Sequence, residues 1–320
     1  MKTAFLQAAA LLLATCLSGV HAAPVHAAGE GSINLDGVEN AQHAAVAIMQ
    51  NRNRVDPETY NHPNRLNLSI RGSGIHLHDG FILTARHAAI EKSNGELVFP
   101  PEISVITENL EERTAKFVGA NDFIDIAIYR MDVLKLDVPL TVTKFSAQEP
   151  RAGEEVYTVG YPVGWGPTLA FGKAGNTRTF LPTASSRLMQ LDMGSCLGNS
   201  GGGLFNAKGE IAGMVQAIVQ TVDIKSEKEC SRISFAVPGP IIARVAEAII
   251  GGGNIKFPVM GVELTTAKLG PVWRVAVDSV SGPAKQAGML KGDIILAIGD
   301  VPVTSAAQLK SYLIENASPG

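Results

Sequence analysis

Short apolar runs separated by turn residues, no regular helix–strand alternation, and a late helix closed by a glycine triplet together predict a mainly β chain. Its expected architecture is antiparallel barrels followed by a smaller α+β domain. Strands are expected at 66–71, 103–107, 115–118, 156–159 and 211–218. Residues 240–250 read as a helix with proline in its first turn, and Gly251-Gly252-Gly253 stops it and marks the best domain boundary. At 320 residues the chain exceeds one typical domain, and with 46% apolar residues it can fill two or three cores.

Lysine and arginine total 27 against 30 acidic residues, so no electrostatic footprint for nucleic acid is visible and nucleic-acid partners are not expected. Lys2, the apolar run over 4–17 and the small residues Val20-His21-Ala22-Ala23 read as an export signal, residues 1–22, cleaved near Ala22. Leu13-Ala14-Thr15-Cys16 keeps a lipoprotein alternative open. Once the signal is removed, two cysteines remain, Cys196 and Cys230, in a compartment where disulfides persist.

Three segments carry chemistry. In Gly198-Asn199-Ser200-Gly201-Gly202-Gly203 a serine sits between glycines, the way a backbone presents a hydroxyl beside free amides. By itself such a string also fits an ordinary turn. Upstream, Gly72-Ser73-Gly74 begins an apolar hairpin that ends in Thr84-Ala85-Arg86-His87, and Asn121-Asp122-Phe123-Ile124-Asp125 opens an alternating apolar run. A hydroxyl attacks poorly at neutral pH unless an imidazole takes its proton and an acid fixes the imidazole's tautomer. His87, Asp125 and Ser200 fill these roles in that order. Asp122 is the alternative acid, although it precedes the apolar alternation. His76 and His78, with Asp79, suggest a metal site only faintly, because complementary ligands are missing; no metal and no cofactor are expected.

The order and flanks of these segments, with Val159-Gly160-Tyr161-Pro162-Val163-Gly164-Trp165-Gly166-Pro167-Thr168 and Ser234-Phe235-Ala236-Val237-Pro238, resemble the chymotrypsin-like serine peptidases, and among them the HtrA/Deg family. The resemblance implies two antiparallel β-barrels of the chymotrypsin type within 23–253, one at about 40–140 and one at about 145–250. Val259-Met260-Gly261-Val262, Ser281-Gly282-Pro283-Ala284, Ala287-Gly288 and Gly292-Asp293-Ile294-Ile295 are similar to a PDZ domain at 254–320 that lacks its last strands. Two departures stand out: Ala85-Arg86-His87-Ala88 where the family more often has Asn-Asn-His-Val, and Lys173-Ala174 where an apolar pair is usual.

What the resemblance implies for the site is specific. Ser200 is the nucleophile, His87 the base and then acid, Asp125 its orienter, and the amides of Gly198 and Ser200 form the oxyanion hole. Gly194, Ser195 and Gln216 line the S1 pocket, with no carboxylate for basic side chains, and Met214 to Ala217 pair with the substrate backbone. Cys196 and Cys230 match a bridge that ties this pocket together, two free thiols being the alternative. Met260, Gly261 and Val262 capture a peptide's terminal carboxylate. The implied activity is an exported endopeptidase for unfolded or damaged proteins, cutting after aliphatic residues, with peptide C-termini bound at the PDZ domain. The segment 219–232 would be a regulatory loop, and residues 30–50 could support a homotrimer. A non-catalytic chaperone or adaptor on the same fold, and a metal-dependent hydrolase using His76 and His78, are the competing readings.

Overall fold

The computed structural model describes residues 32–49, 70–93, 95–181, 184, 186–218, 230–253 and 258–317. The expected export signal with Cys16, the first part of the strand expected at 66–71, nearly all of the 219–232 loop and the last three residues lie outside these. Helix α1 (Leu35–Ala44), capped by the Asn34 side chain, leads into β1 (Ala45–Met49). Then follow β2 (Ile70–His76), β3 (Phe81–Ala85), the single-turn α2 (Arg86–Ala89), the small hairpin β4 (Glu91–Ser93) and β5 (Glu96–Val98), β6 (Glu102–Ile106), β7 (Glu112–Asn121) and β8 (Ile126–Met131). Strands β1-β2-β3-β8-β7-β6 close into an antiparallel barrel, with Ala47 opposite Ile106 at the closing seam. A second six-stranded barrel runs β10-β11-β14-β13-β12-β9, built from β9 (Glu155–Gly160), β10 (Thr168–Ala174), β11 (Met189–Cys196), β12 (Gly203–Asn206), β13 (Ile211–Ile218) and β14 (Cys230–Pro238).

Several strands are buried on both faces, and their side chains alternate between two cores. In β8, Ala127 and Tyr129 point into the first barrel while Ile126 and Ile128 join a central core shared by both barrels. In β12, Leu204 fills the second barrel and Phe205 the central core, where it stacks on Tyr157 with ring centroids 5.4 Å apart. A period-2 strand with no solvated face must be apolar at every position, which is why these segments read as continuous runs. Helix α3 (Gly239–Ile250) seals the central core with Ile241, Ile242, Val245, Ala246 and Ile249 and ends at the expected glycines, Gly252 adopting φ +74°. The Lys173-Ala174 departure is absorbed without disruption: Lys173 is exposed opposite Asp192, and Ala174 is buried inside the second barrel.

The small α+β region comprises β15 (Val262–Leu269), β16 (Val272–Val280), α4 (Gly282–Gln286), β17 (Ile294–Ile295), β18 (Ala297–Ile298), β19 (Val301–Pro302) and α5 (Ala306–Asn316). Its core is Val275, Val303 and Leu309, with Met260 and Leu264 packed on it. The opposite face of α5 docks on the second barrel. Arg187 donates to Glu315 at 2.9 Å and to Glu149 at 2.8 Å, and its main-chain N–H donates to Ser311 Oγ at 2.9 Å. Burial alone would lower the Arg187 pKa, but the hydrogen bonds it donates to Glu149 and Glu315, with their negative charges, outweigh this and raise it. Removing the guanidinium would leave two carboxylates facing each other, a change that typically costs about 3–5 kcal/mol.

Strand β2 ends at His76, so His76 and His78 do not form a ligand pair on one strand face. His76 is buried with both ring nitrogens engaged: Nδ1 donates to the Thr141 carbonyl at 2.8 Å, and Nε2 accepts from Gly80 N–H at 3.2 Å. His78 is exposed beside Asp79. Burial pushes the His76 pKa below its ordinary 6.5, the Thr141 hydrogen bond opposes, His78 adds to the lowering and Asp79 opposes it. Below pH 6.5 the unfolded chain takes up a proton that the folded chain resists, so this contribution to stability is complete above 6.5 and is lost as pH falls towards the folded value. Thermal midpoints of wild type and His76→Gln between pH 5 and 8 should therefore converge on acidification, with the wild type falling faster; parallel curves would contradict the assignment.

Candidate active site

Strand β3 delivers the chain to α2, whose first turn carries His87 at the barrel rim. At the end of β7, the Asn121 side chain accepts the N–H groups of Phe123 and Ile124, folding the turn into β8 that ends at Asp125 with φ +55°. Left-handed geometry costs a side chain roughly 1–2 kcal/mol. Here it aims the whole carboxylate at one residue: Asp125 Oδ1 accepts from His87 N–H at 3.1 Å, and Oδ2 accepts from His87 Nδ1 at 2.6 Å. The Asp125 carbonyl also accepts from Arg86 N–H at 2.9 Å. Asp122 turns outward to an ion pair with Arg86.

Ser200 lies on the turn between β11 and β12. Positions 198 and 201 of this turn must be glycine. Gly198 (φ +97°) and Gly201 (φ +89°) are left-handed, and a Cβ would stand 2.5 Å from the Tyr161 carbonyl at the first and 2.1 Å from the Ser73 carbonyl at the second. The Leu197 carbonyl accepts from Val163 N–H at 2.6 Å. Because a trans peptide points its C=O and N–H in opposite directions, that bond turns Gly198 N–H away from Val163. Among the described residues neither Gly198 N–H nor Ser200 N–H has an acceptor. Ser200 Oγ donates to the Gln216 carbonyl at 3.3 Å.

Two contacts at this site have no counterpart in the sequence reading. Ser73, fully buried in β2 of the first barrel, clamps the Ser200 turn of the second: its N–H donates to the Ser200 carbonyl at 2.8 Å, its Oγ donates to the Gly198 carbonyl at 2.7 Å, and the same Oγ accepts from Tyr161 N–H at 2.8 Å. The signal was a hydroxyl between two glycines at the start of a buried run. Gln216 is the other. It is the extra residue of a bulge in β13, between Val215 and Ala217, and its Nε2 donates to Asp125 Oδ2 at 3.2 Å. A lone amide in an otherwise apolar strand was its signal.

Of the residues assigned to the pocket, Gly194 is open, with nothing within 4 Å of where a Cβ would sit. Ser195 is buried, and its Oγ accepts from Asn199 Nδ2 at 3.0 Å. Gln216 reaches the cleft through its carbonyl. Cys196 and Cys230 are bonded as a disulfide between directly opposed residues of β11 and β14, with Cα atoms 4.1 Å apart. Closing a 34-residue separation is worth about 4 kcal/mol in the chain-entropy picture. In the α+β region Gly261 (φ +80°) turns the chain into edge strand β15, its carbonyl accepting from Ser281 N–H at 2.6 Å while that of Met260 accepts from Ala284 N–H.

Residues 72–214 match the trypsin-like peptidase domain family and residues 277–319 the PDZ domain family. In this order the two matched domains are those of the HtrA/Deg trypsin-like serine proteases with a C-terminal PDZ domain, the family this chain resembles. Among HtrA/Deg relatives, serine protease PepD of Mycobacterium tuberculosis is 29% identical over 270 residues, covering 79% of this chain and 56% of the relative. Serine endoprotease DegS of Haemophilus influenzae is 27% identical over 282 residues, covering 86% and 78%. The chain spans about half the length of several DegP-like relatives, for example 50% of the probable periplasmic serine endoprotease of Ectopseudomonas mendocina. The serine endoprotease from Yersinia pestis superposes with a TM-score of 0.61 at 27% identity, covering 89% of both chains. The HtrA-type protease AlgW with tripeptide gives 0.65 at 24% identity, covering 88% of both, a likeness of fold.

Ser73→Ala would leave the Tyr161 N–H without its acceptor inside the seam. Urea unfolding should show a loss of about 1–3 kcal/mol, the usual cost of a buried group left unpaired; an unchanged midpoint would mean the clamp carries no stability.

Proposed function

We propose that this chain is an exported serine endopeptidase that hydrolyses peptide bonds in unfolded or damaged proteins. The observation that carries the reading is the pairing of Asp125 with His87 and the link that Gln216 makes from that pair to Ser200. The first two are joined at 2.6 Å, and Gln216 touches both the acid and the alcohol. In this reading the Ser200 hydroxyl swings about one bond from the Gln216 carbonyl to His87 Nε2 and gives up its proton as Oγ attacks the scissile carbonyl. His87 must be neutral at that moment, and Asp125 holds its Nδ1–H so that Nε2 is the free base. The oxyanion forms against Gly198 N–H and Ser200 N–H, donors without competing acceptors among the described residues; losing one such donor typically costs about 10²–10³ in rate. His87 then protonates the leaving amine, and water, activated by the same imidazole, releases the acyl group.

Specificity follows from what the pocket lacks. Gly194, Ser195 and the Gln216 backbone offer no carboxylate, and Asp192 is exposed and paired with Arg232. Small or medium aliphatic residues are therefore the proposed P1 class, with the substrate adding a strand along Met214 to Ala217. Met260, Gly261 and Val262 are the proposed carboxylate loop of the PDZ domain, with β15 and α5 as groove walls for a peptide C-terminus. Export rests on residues 1–22 and on relatives named periplasmic. The proposed division is a protease domain at 23–253 and a PDZ domain at 254–320, with homotrimers formed through residues 30–50.

Casein digestion decides between a protease and a non-catalytic chaperone or adaptor. Ser200→Ala should lower it roughly 10⁴–10⁶-fold while leaving peptide binding at the PDZ domain intact. Digestion that survives the substitution would reject Ser200 as nucleophile, and wild-type protein that binds casein without cutting it would favour the chaperone.

A further inference from the structure

Gln216 occupies an unusual position. Strand β13 is apolar from Ile211 to Val215, and the bulge at Gln216 shifts register there against β14. That extra residue lets one amino acid face two ways. Its carbonyl lies beside the nucleophile of the second barrel, accepting from Ser200 Oγ at 3.3 Å, and its side-chain amide crosses to the first barrel, donating to Asp125 Oδ2 at 3.2 Å. Oδ2 is the oxygen that also holds His87 Nδ1. With His87 N–H on Oδ1, the carboxylate has three donors and its rotamer is fixed. The opposite orientation of the amide would set its oxygen against a carboxylate, so the contact itself decides which atom is the donor.

The arrangement carries a cost. Gln216 Oε1 is buried and has no hydrogen-bond partner among the described residues. A buried acceptor left unmade destabilises a fold, and a methionine of similar shape would remove the penalty. Stability therefore argues against glutamine here, whereas orientation of Asp125 argues for it.

We propose that Gln216 is the positioning residue of this site, locking the Asp125 carboxylate onto His87 from the far barrel and tying that lock to the strand beside Ser200. It rests on the peptidase reading above, and it adds a link that neither barrel supplies alone. The side chain acts through Asp125 and does not touch substrate, so its loss should slow turnover without weakening substrate binding.

The test is Gln216→Met, which keeps shape and removes both the donor and the unmet acceptor. With an aliphatic peptide substrate, kcat should fall about 10- to 100-fold with KM within about twofold of wild type, since a charge-assisted hydrogen bond used for orientation is lost. The thermal midpoint should stay level or rise. A second readout is independent of turnover: the low-field proton resonance of His87 Nδ1–H, identified by its absence in His87→Ala, should broaden or move upfield in Gln216→Met. Wild-type kcat with an unchanged resonance would overturn the proposal, as would a loss of kcat matched by a lower thermal midpoint, which marks a merely structural role. If wild-type protein shows no Ser200-dependent hydrolysis, the peptidase reading fails, and the resonance alone then decides whether Gln216 orders the Asp125–His87 pair.

Discussion

The seam between the two barrels is the constraint on which everything else depends, and the Ser73 hydroxyl is its pivot. An acid and a base on one barrel are useful to a hydroxyl on the other only if the relative position of the two is fixed to a fraction of an ångström. Shape-filling of the central core by Tyr157, Phe205, Ile126 and Ile128 brings the barrels together but does not choose a register along the seam. Directional bonds do. Ser73 Oγ holds the Gly198 carbonyl and the Tyr161 amide at once, while its main chain holds the Ser200 carbonyl. The Ser200 turn is thereby built on a strand of the opposite barrel, and the glycines at 198 and 201 are required because the Ser73 and Tyr161 carbonyls come too close for any side chain.

Around this pivot the remaining supports divide the work. The Cys196–Cys230 bridge joins β11 to β14, so the chain just before Gly198 is covalently anchored. The Leu197–Val163 hydrogen bond orients the Leu197–Gly198 peptide, one of the two whose N–H groups are proposed to meet the oxyanion. Far from the cleft, Arg187 anchors α5 by spending its donors on Glu149 and Glu315. Helix α5 thus has two faces in use. One packs Leu309 into the core of its own small region, and the other is pinned to the second barrel.

Much of this was legible in the sequence, for identifiable reasons. Strands with two buried faces leave uninterrupted apolar runs, and the segment 211–218 matches β13 at both ends. Helix α3 begins within one residue of expectation because proline and a glycine triplet bracket it. His87, Asp125 and Ser200 stood out because each sits in a local context that chemistry demands. What stayed hidden is pairing between distant segments. Nothing adjacent to Ser73 announces Gly198, nothing near Gln216 announces Asp125, and Arg187, Glu149 and Glu315 come from three remote places. The two-residue strands β18 and β19 are too short to carry any periodicity.

The most direct measurement is a crystal structure of the protein after reaction with a peptidyl phosphonate bearing an aliphatic P1 residue. The account predicts a covalent bond from Ser200 Oγ to phosphorus, with the phosphonyl oxygen about 2.7–3.1 Å from the amides of both Gly198 and Ser200 and His87 turned towards the adduct. An adduct on any other residue, or one on Ser200 whose oxygen lies away from those two amides, would contradict it.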